Sequence, residues 1–179
     1  MLFRSEIEMM KGFLAELARH FKRIVYKCGN HESRYDRYMM RKAPELIGLP
    51  QFEMRAVLGV DEVGAEYVHA NQVIHAGKLT ILHGHEFGES VFSPVNPARG
   101  MFLRATDCTL SGHQHRTSQH NERTLQGRPI VCFSTGALCD LSPAYRPINK
   151  WDHGAALMSF DGKSEFEVQT FRVINGKAY

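Results

Sequence analysis

The sequence predicts one mixed α/β domain that spans residues 1–179. With 179 residues, of which 43% are apolar, the chain is long enough to bury the core of a single domain. Helical and strand-like patterns alternate along it, which favours a layered α/β arrangement. No internal repeat, low-complexity tract or linker divides the sequence.

The first predicted element is an amphipathic helix over residues 5–21. Its apolar residues recur at helical spacing: Ile7, Met10, Leu14, Leu17 and Phe21. Such a stripe covers a sheet far more often than it binds a membrane or a partner helix, so we expect it in the core. The β-rich run Arg23–Lys27 and then Gly29 follow, which predicts a strand that ends in a functional loop.

Further elements follow from turn residues and from runs of β-forming residues. Helices are predicted over residues 33–42, 51–58 and 96–105, with Ser33 as an N-cap and Pro97 in a first turn. Strands are predicted at residues 67–68, 72–76, 79–82, 108–110, 129–133, 155–160 and 166–173.

Charge and cysteine content restrict the class of protein. A net charge of +3, with acidic and basic residues interspersed, does not call for a nucleic-acid or membrane partner. The four cysteines are widely spaced and form no zinc-binding pair: Cys28, Cys108, Cys132 and Cys139. We therefore expect a reduced, cytoplasmic protein with no membrane partner.

Three short segments carry the candidate chemistry, each after a strand-like run. They are Gly29-Asn30-His31-Glu32, Leu82-His83-Gly84-His85 and Ser111-Gly112-His113-Gln114-His115. An asparagine amide oxygen and imidazole nitrogens are metal ligands, and a glycine after His83 leaves the backbone open to a metal-bound phosphate. In an extended segment, residues two apart project to one side, which predicts that His113 and His115 converge.

Each segment alone is more often a turn or a solvated histidine, but their combination indicates a metal site. Other catalytic motifs are incomplete in this sequence or absent from it. The pairs His31-Glu32 and His85-Glu86 each begin a zinc-binding His-Glu-x-x-His, yet neither is followed by the second histidine. No phosphate-binding Walker A loop and no Gly-x-Ser-x-Gly nucleophile elbow occurs in the sequence.

The three segments, in this order, resemble the calcineurin-like metallophosphoesterases. That family shows Asp-x-His, Gly-Asp-x-x-Asp, Gly-Asn-His-Asp/Glu, a histidine in His-Gly, and then Gly-His-x-His. The last three are present. Arg34 and Tyr35 after the first segment, with the stretches 140–145 and 151–154, are similar to short phage and bacterial phosphoesterases. The resemblance implies a layered β-sandwich flanked by helices.

The resemblance also implies roles for individual residues. Asn30, His83 and His113 would bind one divalent ion and His115 a second, with manganese, iron or zinc as candidates. Two such ions activate water for in-line attack on phosphorus and neutralise the phosphate oxygens. His31 would protonate the leaving oxygen, and Glu32 would orient the His31 ring. The implied activity is hydrolysis of phosphomonoesters or phosphodiesters.

The sequence departs from the family pattern at its start. No Asp-x-His and no Gly-Asp-x-x-Asp precedes Gly29, so ligands for both ions are missing. We therefore expect the carboxyl-terminal portion of a phosphoesterase domain, without its first strand or strands and inactive alone. A separately encoded amino-terminal half or a second copy of the chain is an expected partner, beside the phosphate ester substrate.

Two other interpretations stay open. One is a catalytically inactive binding or regulatory module with the same fold. The other is a nuclease or phosphodiesterase acting on nucleic acid, for which basic residues lie near the motifs: Arg34, Arg37, Arg41, Lys42 and Arg116. Two roles stay open for His85: it contacts the substrate phosphate, or it stabilises its own loop.

Overall fold

The computed structural model describes residues 2–88 and 95–179. It is a mixed α/β structure, as the sequence predicts. The chain divides into two compact units, residues 1–72 and residues 73–179, and the single-domain interpretation stays a prediction. No helix in the described ranges is both long and apolar enough to cross a membrane.

The first unit holds three helices and a pair of parallel strands. Its elements are α1 (Leu2–His20), β1 (Val25–Lys27), α2 (Asn30–Lys42), α3 (Met54–Val57) and β2 (Glu66–Val68), with 3-10 turns at Pro44–Leu46 and Pro50–Phe52. Strand β1 pairs with β2 so that Tyr26 lies opposite Tyr67. Helix α1 contributes Leu14 to a core that also contains Met54 and Leu58. The amphipathic helix and the first strand are thus confirmed.

Two helix predictions in this unit were wrong in detail. Helix α2 begins at Asn30 with Gly29 as N-cap, three residues before the predicted start at Ser33. The Gly29 N–H donates to Glu32 Oε2 at 2.8 Å, and this bond stabilises the earlier start. The helix predicted over residues 51–58 is interrupted because Glu53 is extended, with ψ 139°.

In its described parts, residues 73–88 and 95–179, the second unit contains two sheets and one helix. Its strands are β3 (Ile74–Ala76), β4 (Leu79–Leu82), β5 (Thr109–Ser111), β6 (Ser118–Arg123), β7 (Pro129–Ser134), β8 (His153–Phe160), β9 (Phe166–Ile174) and β10 (Lys177–Ala178). The larger sheet has the order β3-β4-β5-β7-β6, in which β4, β5 and β7 are parallel. The antiparallel strands β3 and β6 form its edges. The smaller sheet has the order β10-β9-β8.

Helix α4 (Pro97–Ala105) lies in the second unit and begins as the sequence predicts. The Arg99 N–H donates to Asn96 Oδ1 at 3.0 Å, so Asn96 is the N-cap and Pro97 follows it. Buried Ala98 packs in a cluster with Leu79 and Cys132, and Met158 from β8 and Phe166 from β9 pack against the same cluster. One hydrophobic core therefore joins the helix to both sheets.

The register of the parallel strands determines where the candidate site lies. Leu82, Ser111 and Ser134 are direct neighbours across β4, β5 and β7. They are also the last residues of their strands. The segments that follow, including His83 and Gly112, therefore begin at one edge of the sheet.

Candidate metal centre

Hydrogen bonds continue beyond the ends of the parallel strands and hold the three following loops together. The Gly112 N–H donates to the His83 carbonyl at 3.0 Å, and the Thr135 N–H donates to the Ser111 carbonyl at 2.8 Å. These bonds fix the backbone of His83 beside the backbone of the residue that precedes His113. The predicted site residues of the second unit thus come from adjacent loops at the carboxyl edge of the sheet.

His83 and His113 form a close pair. Their Nε2 and Nδ1 atoms are 3.1 Å apart, and their ring planes are inclined at 64°. Two imidazole nitrogens that bind one ion at about 2.0–2.1 Å lie about 3 Å from each other. When one of the two nitrogens carries a proton, a hydrogen bond joins the pair. When neither carries one, the two nitrogens fit two adjacent positions around a divalent cation.

His85 completes a cluster of three imidazoles. Its ring centroid lies 5.0 Å from that of His83 and 6.3 Å from that of His113. The Nδ1 atom of His85 is buried and has no hydrogen-bond partner. The carboxylate of Glu86 lies 3.7 Å from it. A buried nitrogen without a hydrogen-bond partner is uncommon in proteins, and it leaves this atom available for the substrate-phosphate contact considered for His85.

Glu86 organises the loop that carries His83, and the sequence analysis did not identify it. The N–H of His83 donates to Glu86 Oε1 at 2.9 Å, and the N–H of Gly84 donates to Oε2 at 2.7 Å. The carboxylate therefore binds two successive backbone donors at the end of β4. An acidic residue four positions after a strand end was the available signal, because such side chains often bond to the preceding backbone.

Gly84 is required for packing between the two histidine loops. Its φ of +119° lies in the region that only glycine adopts readily. A Cβ atom at this position would lie 3.0 Å from the Cβ of His113. His113 therefore occupies this side of Gly84, where the sequence predicted an opening toward a metal-bound phosphate. The glycine allows the two loops to approach each other.

The backbone of the third motif differs from the prediction. His113 and His115 have φ values of 53° and 55°, so neither is extended and the premise that placed both rings on one side was wrong. The Gln114 N–H bonds to the Gly112 carbonyl, which closes a tight turn around His113. A left-handed non-glycine residue costs about 1–3 kcal/mol and is typical of functional sites.

His115 contacts a different set of side chains from those of His113. Its ring lies 4.3 Å from the indole ring of Trp151, at 72°. Its Nδ1 atom is 3.9 Å from the Sγ of Cys139. The two histidines of the motif thus have separate environments.

Asn30 and His31 lie in the first unit, in the first turn of α2. Asn30 is 7% exposed, and His31 is exposed. His31 lines a cavity of about 770 Å³ whose walls are largely apolar, with Ile7, Met10 and Leu58 among them. A cavity of this volume is in the range that holds an organic group.

Glu32 anchors the loop that carries Asn30 and His31. Its Oε1 atom accepts a hydrogen bond from the Tyr26 hydroxyl at 2.6 Å, and Oε2 accepts from the Gly29 N–H. Burial, followed by the charge of Glu32 and the hydrogen bond to it, raises the pKa of Tyr26. These bonds hold the loop, and the predicted orientation of the His31 ring by Glu32 stays a prediction.

The described side chains fit a metal ion in part. The His83 and His113 nitrogens have the separation of two ligands, and the unpaired Nδ1 of His85 lies in the same cluster. No group of three or more histidine, cysteine, aspartate or glutamate side chains among residues 2–88 and 95–179 is placed to bind one ion. Further ligands are therefore needed for tight binding.

Comparisons with known proteins identify no family. No protein-family model matches the sequence, and no curated protein shows significant similarity to it.

Proposed function

We propose that this chain contributes to metal-dependent hydrolysis of phosphate esters, in a fold of the calcineurin-like type with a layered β-sandwich. The observation that carries the proposal is the His83–His113 pair, with nitrogens 3.1 Å apart. Both residues follow neighbouring parallel strands, where α/β sheets place their sites. The Asn-His sequence at the start of α2 supports the same chemistry.

Each candidate residue has a defined task in this proposal. His83 and His113 bind one divalent ion together with Asn30, and His115 binds a second. When bound, such ions neutralise the phosphate oxygens and lower the pKa of an attacking water. His31 donates a proton to the leaving oxygen, a step that contributes about 10²–10⁴-fold in enzymes. Its position beside the apolar cavity leaves room for an organic leaving group.

A second candidate function is that of a binding module without turnover. One observation favours it: the residues that the structure describes contain no three-residue metal cluster. The sequence likewise contains no Asp-x-His and no Gly-Asp-x-x-Asp. A site with two imidazoles binds a cation weakly and does not hold a pair of ions about 3.5–4 Å apart.

The test combines metal binding with hydrolysis. Zn²⁺ and Mn²⁺ binding is measured by calorimetry on the wild type and on His83→Ala, His113→Ala and His85→Ala. His75→Ala is the matched control because His75 is exposed on β3, where Thr80 is its hydrogen-bond partner. Hydrolysis of p-nitrophenyl phosphate and bis(p-nitrophenyl) phosphate is measured on the same samples.

We expect His83→Ala and His113→Ala to lose metal affinity by tenfold or more, on the order of the loss of one ligand bond. His85→Ala and His75→Ala should keep it. Hydrolysis favours the phosphoesterase, whereas a stable, monomeric fold that binds no metal favours the binding module. Undiminished binding in His83→Ala, with loss in His85→Ala, contradicts the ligand assignment.

A further inference from the structure

Asp152 joins three segments around the candidate ligand His115. Its Oδ1 atom accepts hydrogen bonds from the Thr117 N–H at 2.9 Å and from the Thr117 hydroxyl at 2.8 Å. Its own N–H donates to the His115 carbonyl at 3.0 Å. Its carbonyl accepts from the Ala137 N–H at 2.8 Å. The loops after β5 and β7 are therefore both bonded to the residue that precedes β8.

Two glycines make room for this arrangement. A Cβ atom on Gly136 would lie 2.7 Å from Asp152 Oδ1 and 2.6 Å from its carbonyl oxygen. A Cβ atom on Gly154 would lie 2.6 Å from the Thr117 hydroxyl. Neither glycine has a positive φ, so the close approach of neighbouring chain segments accounts for both of them.

Asp152 makes its hydrogen bonds to the part of the loop that contains the left-handed residue His115. They hold the backbone of His115, which has a φ of 55°, and that of Thr117 two residues later. Trp151, the neighbour of Asp152 in sequence, contacts the His115 ring itself. Adjacent residues of one segment therefore fix the backbone and the ring of the same histidine.

We infer that Asp152 is a positioning residue that holds the His115 imidazole in its binding orientation through Thr117 and the His115 backbone. The inference rests on the proposed function for the use made of His115, but the positioning itself is measurable without metal. The carboxylate acts through one oxygen, Oδ1. Asparagine keeps an acceptor in that place, whereas leucine has a similar size and no acceptor.

The experiment compares Asp152→Asn and Asp152→Leu with Asp161→Leu as the matched control. Asp161 also accepts backbone hydrogen bonds through Oδ1, from Lys163, Ser164 and Glu165, but it lies at the other end of β8. NMR measures the chemical shifts of the His115 ring protons, which the ring current of the nearby Trp151 indole displaces. His115→Gln assigns the signal. Thr117→Val, which removes only the hydroxyl donor, is the milder variant if Asp152→Leu does not fold.

We expect this ring-current shift in the wild type, in Asp152→Asn and in Asp161→Leu. It should be lost in Asp152→Leu and reduced in Thr117→Val. Zn²⁺ affinity should fall by about 10- to 100-fold in Asp152→Leu, as for residues that orient metal ligands, and recover in Asp152→Asn. An unchanged shift in folded Asp152→Leu, or in Thr117→Val where the leucine variant does not fold, overturns the inference. An equal loss in Asp161→Leu does the same. A wild type that shows the shift but binds no metal contradicts the proposed function and leaves the positioning role supported.

Discussion

The rings of His115 and Trp151 meet in an edge-to-face geometry, with centroids 4.3 Å apart and planes at 72°. Trp151 is the only tryptophan of the chain. Because a charge gained by the imidazole changes the electrostatic environment of the neighbouring indole, the intrinsic fluorescence of the protein reports on one candidate ligand without a label.

We predict that Zn²⁺ changes the emission of Trp151 in the wild type and that His115→Gln abolishes the response. The reason is that the cation would replace a neutral nitrogen contact with a charged one beside the indole. A fluorescence titration measures the effect. His75→Gln, at an exposed position on β3, should respond like the wild type. A response of full size in His115→Gln would show that the cation binds elsewhere.

We predict opposite effects for alanine at two glycines. In Gly136→Ala the new Cβ would lie 2.4 Å from the backbone nitrogen of Gly154, so we expect a loss of about 1–3 kcal/mol or more in the free energy of unfolding. In Gly12→Ala nothing lies within 4 Å of the new atom. Gly12 is inside α1, and alanine there should stabilise the chain by about 0.5–1 kcal/mol. Urea unfolding of both variants measures the difference, and a stable Gly136→Ala would contradict the close packing described around Asp152.

We predict that Glu32→Ala destabilises the start of α2 by about 1–3 kcal/mol, the usual cost of removing a charged hydrogen-bond acceptor. The variant leaves the Gly29 N–H and the Tyr26 hydroxyl without the oxygens that accept from them. Glu32→Gln keeps one carbonyl oxygen and should lose less. Glu53→Ala is the control, since Glu53 is the N-cap of α3 and makes no side-chain capping bond. Urea unfolding and amide exchange of the first turn of α2 provide the measurement, and equal losses in Glu32→Ala and Glu53→Ala would argue against the anchoring role.

We predict a loss of stability at alkaline pH that depends on two tyrosines. Burial raises the pKa of Tyr26, and burial with a hydrogen bond to Cys28 raises that of Tyr67. A pKa raised in the folded state means that the folded state holds the proton more tightly. The stabilisation is therefore complete below the unfolded pKa of about 10 and is lost as the pH rises above it.

The measurement compares the ultraviolet absorbance of tyrosinate with circular dichroism through an alkaline titration. The late part of the tyrosine ionisation should coincide with unfolding, and Tyr26→Phe should reduce its amplitude. Ionisation of both tyrosines well before any loss of structure is the result that would contradict this prediction.

Local sequence patterns were sufficient for the elements with strong periodicity or strong caps. The apolar spacing of the first helix predicted α1, and Asn96-Pro97 predicted α4. Strand β6 was missed because Ser118–Arg123 is polar and lies at a sheet edge, where only pairing with β7 makes it a strand. The start of α2 was misplaced because the Glu32 carboxylate reaches back to Gly29, and Ser33 looked like the stronger cap.

Part of the candidate site was likewise predictable from the sequence, and part was not. The family resemblance implied that His83 and His113 share one ion, which stays a prediction, and the structure places their nitrogens 3.1 Å apart. The left-handed backbone of His115 was not predictable, because it depends on bonds to Asp152, which is far along the sequence. Glu86 was missed for a different reason: its hydrogen bonds are local, but they are made to the backbone N–H groups of His83 and Gly84, which residue spacing does not show.

The thiol groups of this chain provide a chemical tool. Cys28, Cys108 and Cys132 are buried, whereas Cys139 is exposed and its Sγ lies 3.9 Å from His115 Nδ1. A thiol-reactive spin label or cross-linker applied to the folded protein will therefore attach at one position. That position lies within a few ångströms of a candidate ligand, so distances to a bound paramagnetic ion can be measured on the unmutated chain.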